Sequence, residues 1–170
     1  MSVPQAVVLM GVCGCGKSTV GQFLAERCGG VFHDADDFHP VANIAKMKRG
    51  EPLDDDDRAP WLAVLAELLA TSSSAAAPVF LACSALKASY RDILRSGCAD
   101  LRFVHLTGSP AVIRARLRGR SDHFMPETLI DSQFAALETP ADALAVDIDQ
   151  PVDAIVATII DGLGLRGVEK

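Results

Sequence analysis

Eight consecutive residues, Gly11-Val12-Cys13-Gly14-Cys15-Gly16-Lys17-Ser18, have the types and spacing needed to hold a polyphosphate. Gly11, Gly14 and Gly16 permit torsions that a Cβ would obstruct, so backbone N–H groups can turn inward around an anion. Lys17 would then reach the β and γ phosphates, and the Ser18 hydroxyl would join a Mg2+ shell. Thr19 follows in the first turn of the helix whose positive dipole end adds to the attraction. The apolar run Ala6–Met10 precedes the motif, and Val20, Phe23, Leu24 and Cys28 recur after it at helical spacing. A glycine-rich turn with a chance lysine would lack that strand–loop–helix setting, so the sequence predicts a nucleoside triphosphate site.

A second set of chemistry-bearing residues follows the apolar run Val31–His33. Asp34 and Asp36 stand two apart, and in extended chain their side chains lie on the same side, where both could converge on Mg2+ and an acceptor hydroxyl. The alternative is a pair of helix-capping or turn carboxylates, which is the reading for Asp37. Four arginines, Arg114, Arg116, Arg118 and Arg120, form the densest cationic cluster. At about 100° per residue, Arg116 and Arg120 share one helix face and Arg114 and Arg118 a roughly opposite one, so only one pair can face a site.

The elements that must position these residues are legible as alternating patterns. Apolar, β-branched runs recur at 6–10, 31–33, 79–83, 101–106 and 145–148, with helical patterns between most of them. That alternation predicts an α/β fold with a parallel sheet of about five strands. Helices are expected from Pro60 through Trp61, Leu62, Leu65, Leu68 and Leu69, and over 85–95, 110–118, 126–137 and 152–163. The tract 71–78 reads as a solvated loop. Segments 34–58 and 119–125 fit neither pattern; both lie near predicted strand ends, where ligands of such sheets sit, and are candidates for a substrate pocket and a mobile lid.

With 170 residues and 49% hydrophobic side chains, the chain suffices for one domain. A net charge of −6 argues against nucleic-acid or acidic-membrane partners. No apolar stretch has membrane-spanning length and the N-terminus lacks signal-peptide regions, so a cytoplasmic location is expected. Five cysteines without a C-x-x-C pair suggest neither a disulfide framework nor a zinc site.

Beyond the phosphate loop, Asp34-Ala35-Asp36-Asp37-Phe38-His39-Pro40, Asn43, Lys46-Met47, Gly50 to Leu53, Asp55 to Arg58 and Pro60-Trp61-Leu62 resemble the gluconokinase family. So do Cys83-Ser84-Ala85-Leu86-Lys87, Tyr90-Arg91-Asp92, Arg116-Leu117, Arg120, His123-Phe124, Ser132-Gln133-Phe134 and Val146-Asp147-Ile148. The resemblance covers nearly the whole chain. It implies a three-layer P-loop kinase fold of the shikimate kinase-like branch, with helices on both faces of the sheet and a lid over about 116–127, and usually a homodimer. It also implies ATP and Mg2+ as co-substrate and cofactor, and phosphorylation of D-gluconate at its C6 hydroxyl.

The same resemblance implies roles. Asp34 would act on the metal shell with Ser18, Asp36 would orient or deprotonate the acceptor hydroxyl, and the lid residue Arg120 would meet the charge on the transferred group. Arg116 would stack near adenine with Pro151 on its other face, which leaves Arg114 and Arg118 facing solvent. Gluconate needs a cation far from the phosphate; Arg58, Lys87 and Arg91 are suitable, the last two being four apart and so on one helix face. His39 is either a polyol partner or a locally satisfied histidine, and Lys46 is a weaker candidate. Asp54 to Asp57 reads as a helix-starting acidic run in which Asp57 could position Arg58. His123 and Gln133 would complete the closed pocket or support lid packing. One departure is Cys13 and Cys15, where family loops commonly carry serine; both fall at variable positions of the motif, so phosphate binding by backbone should survive, with the thiols either small fillers or peroxide-sensitive groups.

Overall fold

The computed structural model describes residues 3–72, 76–119 and 127–168. Five strands form one sheet: β1 (Ala6–Met10), β2 (Val31–Asp34), β3 (Val79–Ala82), β4 (Leu101–Thr107) and β5 (Leu144–Asp147). Every pairing is parallel and the order is β2-β3-β1-β4-β5, with Ala6 beside both Val79 and Leu101. β1 is central and buried along its whole length, which is why it reads as an unbroken apolar run.

Seven α-helices accompany the sheet among the described residues: α1 (Lys17–Cys28), α2 (Val41–Lys48), α3 (Asp55–Ser72), α4 (Ala88–Gly97), α5 (Pro110–Arg118), α6 (Glu127–Ala136) and α7 (Val152–Leu163). Alternate β1 side chains sort them into layers. Val7 and Leu9 pack with Val20 and Leu24 of α1, Ile113 of α5 and Ile155 and Ile159 of α7. Ala6, Val8 and Met10 face Leu62, Leu65 and Leu69 of α3 and Leu94 of α4. The result is the predicted three-layer α/β architecture.

Segment 34–58, unread from periodicity, folds into a 3₁₀ turn over Ala35–Phe38 followed by α2. Helix α2 carries its apolar Val41, Ile44 and Met47 in solvent and buries the polar Asn43 instead, so it has no apolar core face to detect. Helix α3 begins at Asp55, ahead of Pro60. Asp54 and Asp57 exchange hydrogen bonds across its start: Asp57 N–H donates to Asp54 Oδ1 at 2.8 Å, and Asp54 N–H to Asp57 Oδ2 at 3.0 Å. This reciprocal cap outweighs the N-terminal preference of Pro60, and the acidic run complements the helix dipole. Helix α4 starts at Ala88 and not Ala85, because Ala85 takes a left-handed φ of 44° that no α-helix can contain.

Candidate active site

The phosphate loop leaves the tip of β1 and closes on itself. Gly11 N–H donates to Ser84 O at 3.2 Å and Cys15 N–H to Val12 O at 3.3 Å. Gly14 has a φ of 85°, and a Cβ there would come within 2.9 Å of Leu117 Cγ, so glycine answers both backbone and space. Gly16, also left-handed, caps α1 without a side chain, which leaves the first-turn N–H groups to an anion. Lys17 Nζ lies 3.1 Å from both Gly11 O and Val12 O and 3.9 Å from Cys15 Sγ, folded along the rim of the loop. Cys15 is buried and Cys13 half-buried. Gln133 of α6 reaches this loop: its Oε1 accepts from Cys13 N–H at 2.6 Å. At the foot of the site the Cys83 thiol is fully buried and its pKa is pushed up to about 12, so it stays protonated.

The acceptor-side carboxylates arrive from β2, which is separated from β1 by β3. Even so, Ser18 Oγ donates to Asp34 Oδ2 at 2.8 Å, joining the two tips. The other oxygen of Asp34 accepts Asp36 N–H at 3.0 Å and caps the 3₁₀ turn. Asp34 is therefore a turn cap, as one reading of the sequence has it, and it also stands against the Ser18 hydroxyl. These two hard oxygens suit a Mg2+ ion that takes its remaining ligands from phosphate and water. The Asp36 side chain is 86% exposed, though the carboxyl is partly desolvated by the residues around it. That partial desolvation, followed by repulsion from Asp34, raises its carboxyl above the ordinary range, against the pull of His39 and Lys17.

His39 is held from three sides. Its ring stacks on Trp61 with centroids 4.2 Å apart and an angle of 14°, its Nε2 lies 3.9 Å from Asp36 Oδ1, and its Nδ1 is 3.4 Å from Asn43 Nδ2. Asn43 also donates to Asp57 O at 2.9 Å, so Nδ1 is the acceptor and the ring proton sits on Nε2, toward Asp36. Burial lowers the His39 pKa and keeps the ring neutral, Asp36 opposing. The Trp61 indole N–H donates to Ala35 O at 2.7 Å and fixes the turn that carries Asp36. In the sequence Asn43 stands only in a family string and Trp61 in that string and on a predicted helix; the signal for the Asn43 role is its i, i+4 spacing from His39.

The three predicted acceptor cations have different fates. Arg58 is half-buried, its Nη1 is 3.3 Å from the Tyr90 hydroxyl, and no carboxylate stands within ion-pair distance of it among the described residues. Lys87 is not on the α4 face but at its N-cap, and its Nζ lies 2.9 and 3.1 Å from the two oxygens of Asp55. The Tyr90 hydroxyl donates to the same carboxylate, and the Tyr90 and Lys87 hydrogen bonds hold Asp55 below its usual range. Arg91 corrects its expectation: it is 4% exposed and its Nη1 donates to Ala85 O at 2.9 Å and Leu86 O at 3.1 Å, so it is a buried clamp on the β3–α4 turn. Lys46 is bound to Asp57 at 2.5 Å, which keeps that carboxylate off Arg58.

On the far side, Arg116 donates to Ile148 O beyond β5, and its Nη1 is 3.6 Å from where a Gly16 Cβ would stand. It thus spans from the loop to the chain that follows β5, where Pro151 is the N-cap of α7. Thr19 is exposed in the first turn of α1. Arg114 departs from its solvent-facing expectation: it donates to Asp131 of α6, and its Nε is buried without a partner. Arg120 and His123, with most of the expected lid, fall outside the described residues.

A parallel five-stranded sheet with a phosphate-binding loop at the tip of its central strand defines the P-loop kinase fold. A family model described as an AAA domain matches residues 7–128. The thermoresistant gluconokinase of Escherichia coli K12 is 44% identical over 158 residues, spanning 91% of this chain and 90% of that protein. A gluconokinase crystal structure from Sinorhizobium meliloti superimposes with a TM-score of 0.86 at 46% identity, covering 96% of this chain and 94% of its own. The shikimate kinase of Bacteroides thetaiotaomicron, at 19% identity and a TM-score of 0.70 over 94% of this chain and 98% of its own, shares the fold. The chain belongs to the gluconokinase family.

Proposed function

We propose that this protein transfers the γ-phosphoryl group of ATP to the C6 hydroxyl of D-gluconate, giving 6-phospho-D-gluconate and ADP. The observation that carries the reading is the Ser18–Asp34 hydrogen bond of 2.8 Å, which draws the acceptor carboxylates of β2 against the nucleotide loop of β1. Gluconate as the acceptor rests on family membership and on Arg58, a cation without an ion-pair partner among the described residues and suited to the acceptor's carboxylate.

In this reading Lys17 exchanges the carbonyls of Gly11 and Val12 for the β and γ phosphates, and the loop N–H groups hold the rest of the chain. Gly11, Gly14, Gly16, Ser18 and Thr19 complete the phosphate site, with Arg116 and Pro151 on either side of adenine. Ser18 and Asp34 would hold Mg2+, which when bound would neutralise phosphate charge. Arg58 and Lys87 orient gluconate from its carboxylate end, His39 Nε2–H donates to its hydroxyls, and Asp36 accepts the C6 hydroxyl proton. The hydroxyl oxygen then bonds to the γ phosphorus while the bond to the β,γ-bridging oxygen breaks and its electron pair leaves with ADP. A carboxylate whose pKa is raised is better matched to that proton than an ordinary one. Arg120 as the lid arginine, His123 and Gln133 as closing residues, a cytoplasmic homodimer and a single kinase domain over 1–170 belong to the same reading.

The test is a coupled ADP-release assay with ATP and Mg2+, comparing D-gluconate with shikimate, nucleoside monophosphates and no acceptor. Turnover confined to gluconate is the expected result; equal or greater turnover on another acceptor, or background hydrolysis alone, refutes the assignment.

A further inference from the structure

The turn between β3 and α4 is held from outside by a residue that no role above uses. Ala85, 3% exposed, is the non-glycine residue with positive φ among the described residues, a conformation that persists only where neighbours enforce it. Arg91 supplies part of that enforcement through the carbonyls of Ala85 and Leu86. Glu138, just past the end of α6, holds the next part of the turn. Its backbone N–H donates to Leu86 O at 2.8 Å, and its Oε2 accepts Ala88 N–H at 2.6 Å. Ala88 is the first residue of α4, and Lys87 at the N-cap makes no side-chain capping bond, because an ammonium has no acceptor. Glu138 thus caps α4 from fifty positions away and adds a negative charge at the helix's positive end and beside buried Arg91. The capped turn is the one from which Lys87 and Tyr90 reach Asp55 and Tyr90 meets Arg58. Five residues earlier on the same stretch of chain, Gln133 holds the phosphate loop through Cys13 N–H.

We propose that Glu138 is a positioning residue for the acceptor half of the site: by capping α4 from beyond the end of α6 it fixes where Lys87 and Tyr90 leave the turn, and with them the Asp55–Arg58 cluster. This rests on the phosphotransfer reading for what the acceptor half does. Steady-state kinetics of Glu138→Ala and Glu138→Gln test it. The Ala variant is expected to raise KM for gluconate roughly three- to thirtyfold, the span of losing one helix cap, while KM for ATP stays within about twofold. The Gln variant, whose carbonyl oxygen can still accept Ala88 N–H, recovers most of the loss. An unchanged gluconate KM overturns the proposal. So does an equal rise in both KM values without rescue by Gln, the mark of general destabilisation. If the unsubstituted protein does not phosphorylate gluconate, the phosphotransfer reading fails separately, and amide exchange decides the role of Glu138: faster exchange at Ala88 in the Ala variant supports the cap, and unchanged exchange refutes it.

Discussion

Replacing Arg58 with alanine isolates the recognition of the acceptor's carboxylate. The guanidinium is half-buried and its one described hydrogen bond, to the Tyr90 hydroxyl, is long at 3.3 Å. With Asp57 taken by Lys46 and Asp55 by Lys87 and Tyr90, a ligand carboxylate has no internal competitor to displace. A charge-assisted hydrogen bond of this kind contributes ~1.5–3 kcal/mol. At 1.4 kcal/mol per decade, losing about 1.5–3 kcal/mol lowers kcat/KM for gluconate roughly 12- to 140-fold. Because the carboxylate is remote from the reacting hydroxyl and its charge does not change during transfer, the loss falls on KM, with kcat moving little. Arg58→Lys keeps the charge but loses the two-pronged geometry and should cost about 1 kcal/mol, roughly fivefold. The assay is coupled ADP release with gluconate and, in parallel, the neutral polyol D-glucitol at high concentration. The alanine effect should vanish with the neutral acceptor. An unchanged KM for gluconate, or equal losses on both acceptors, refutes the assignment of Arg58 to the carboxylate.

Lys17→Ala removes the charge that meets the β and γ phosphates and should lower kcat by on the order of 10²–10³, measured as single-turnover ADP formation with saturating gluconate. Asp36→Asn should lower kcat by on the order of 10²–10⁴, and in the unsubstituted protein the acidic limb of kcat/KM against pH should bend above the ordinary carboxylate value near 3.9. The stability sign runs the other way: a raised folded-state pKa favours the protonated carboxyl, so its contribution is present below the unfolded pKa and lost as pH rises through the folded one. Asp36→Asn should therefore raise Tm slightly at neutral pH, with the gain disappearing in acid; a lowered Tm at pH 7 contradicts the sign. Trp61→Phe leaves the buried Ala35 carbonyl without its 2.7 Å partner, at about 1–3 kcal/mol, and should lower Tm by roughly 2–10 °C in a thermal scan.

The phosphate loop, the five strands and their parallel pairing follow from patterns local in sequence: buried strands are continuous apolar runs, and the loop motif carries its own flanking context. Segment 34–58 did not, because its helix α2 buries an asparagine and exposes Val41, Ile44 and Met47, the inverse of the pattern periodicity detects. Pro60 misled the start of α3 because a reciprocal Asp54–Asp57 cap, built upstream, overrides it. Asp34, Asp36 and Arg58 could be nominated from spacing and family strings. The burial of Arg91 could not, since a cation four residues from another looks the same whether it faces a ligand or clamps a turn. Glu138 was invisible for a related reason: its partners lie fifty residues away and only the fold makes them neighbours.

Strand order has a consequence for how such a site can diversify. In the proposed reading the nucleotide-facing residues come from the central strand and from beyond β5, whereas Asp34, Asp36 and His39 lie at or just after the end of β2, an edge strand with a single neighbour. In that reading part of acceptor recognition is delegated to one margin of the sheet, away from the central strand that carries the phosphate loop. Chain at the β2 margin can be lengthened, shortened or rewritten without breaking the pairing of β1 with β3 and β4, so acceptor contacts made there can change while the phosphate loop keeps its setting.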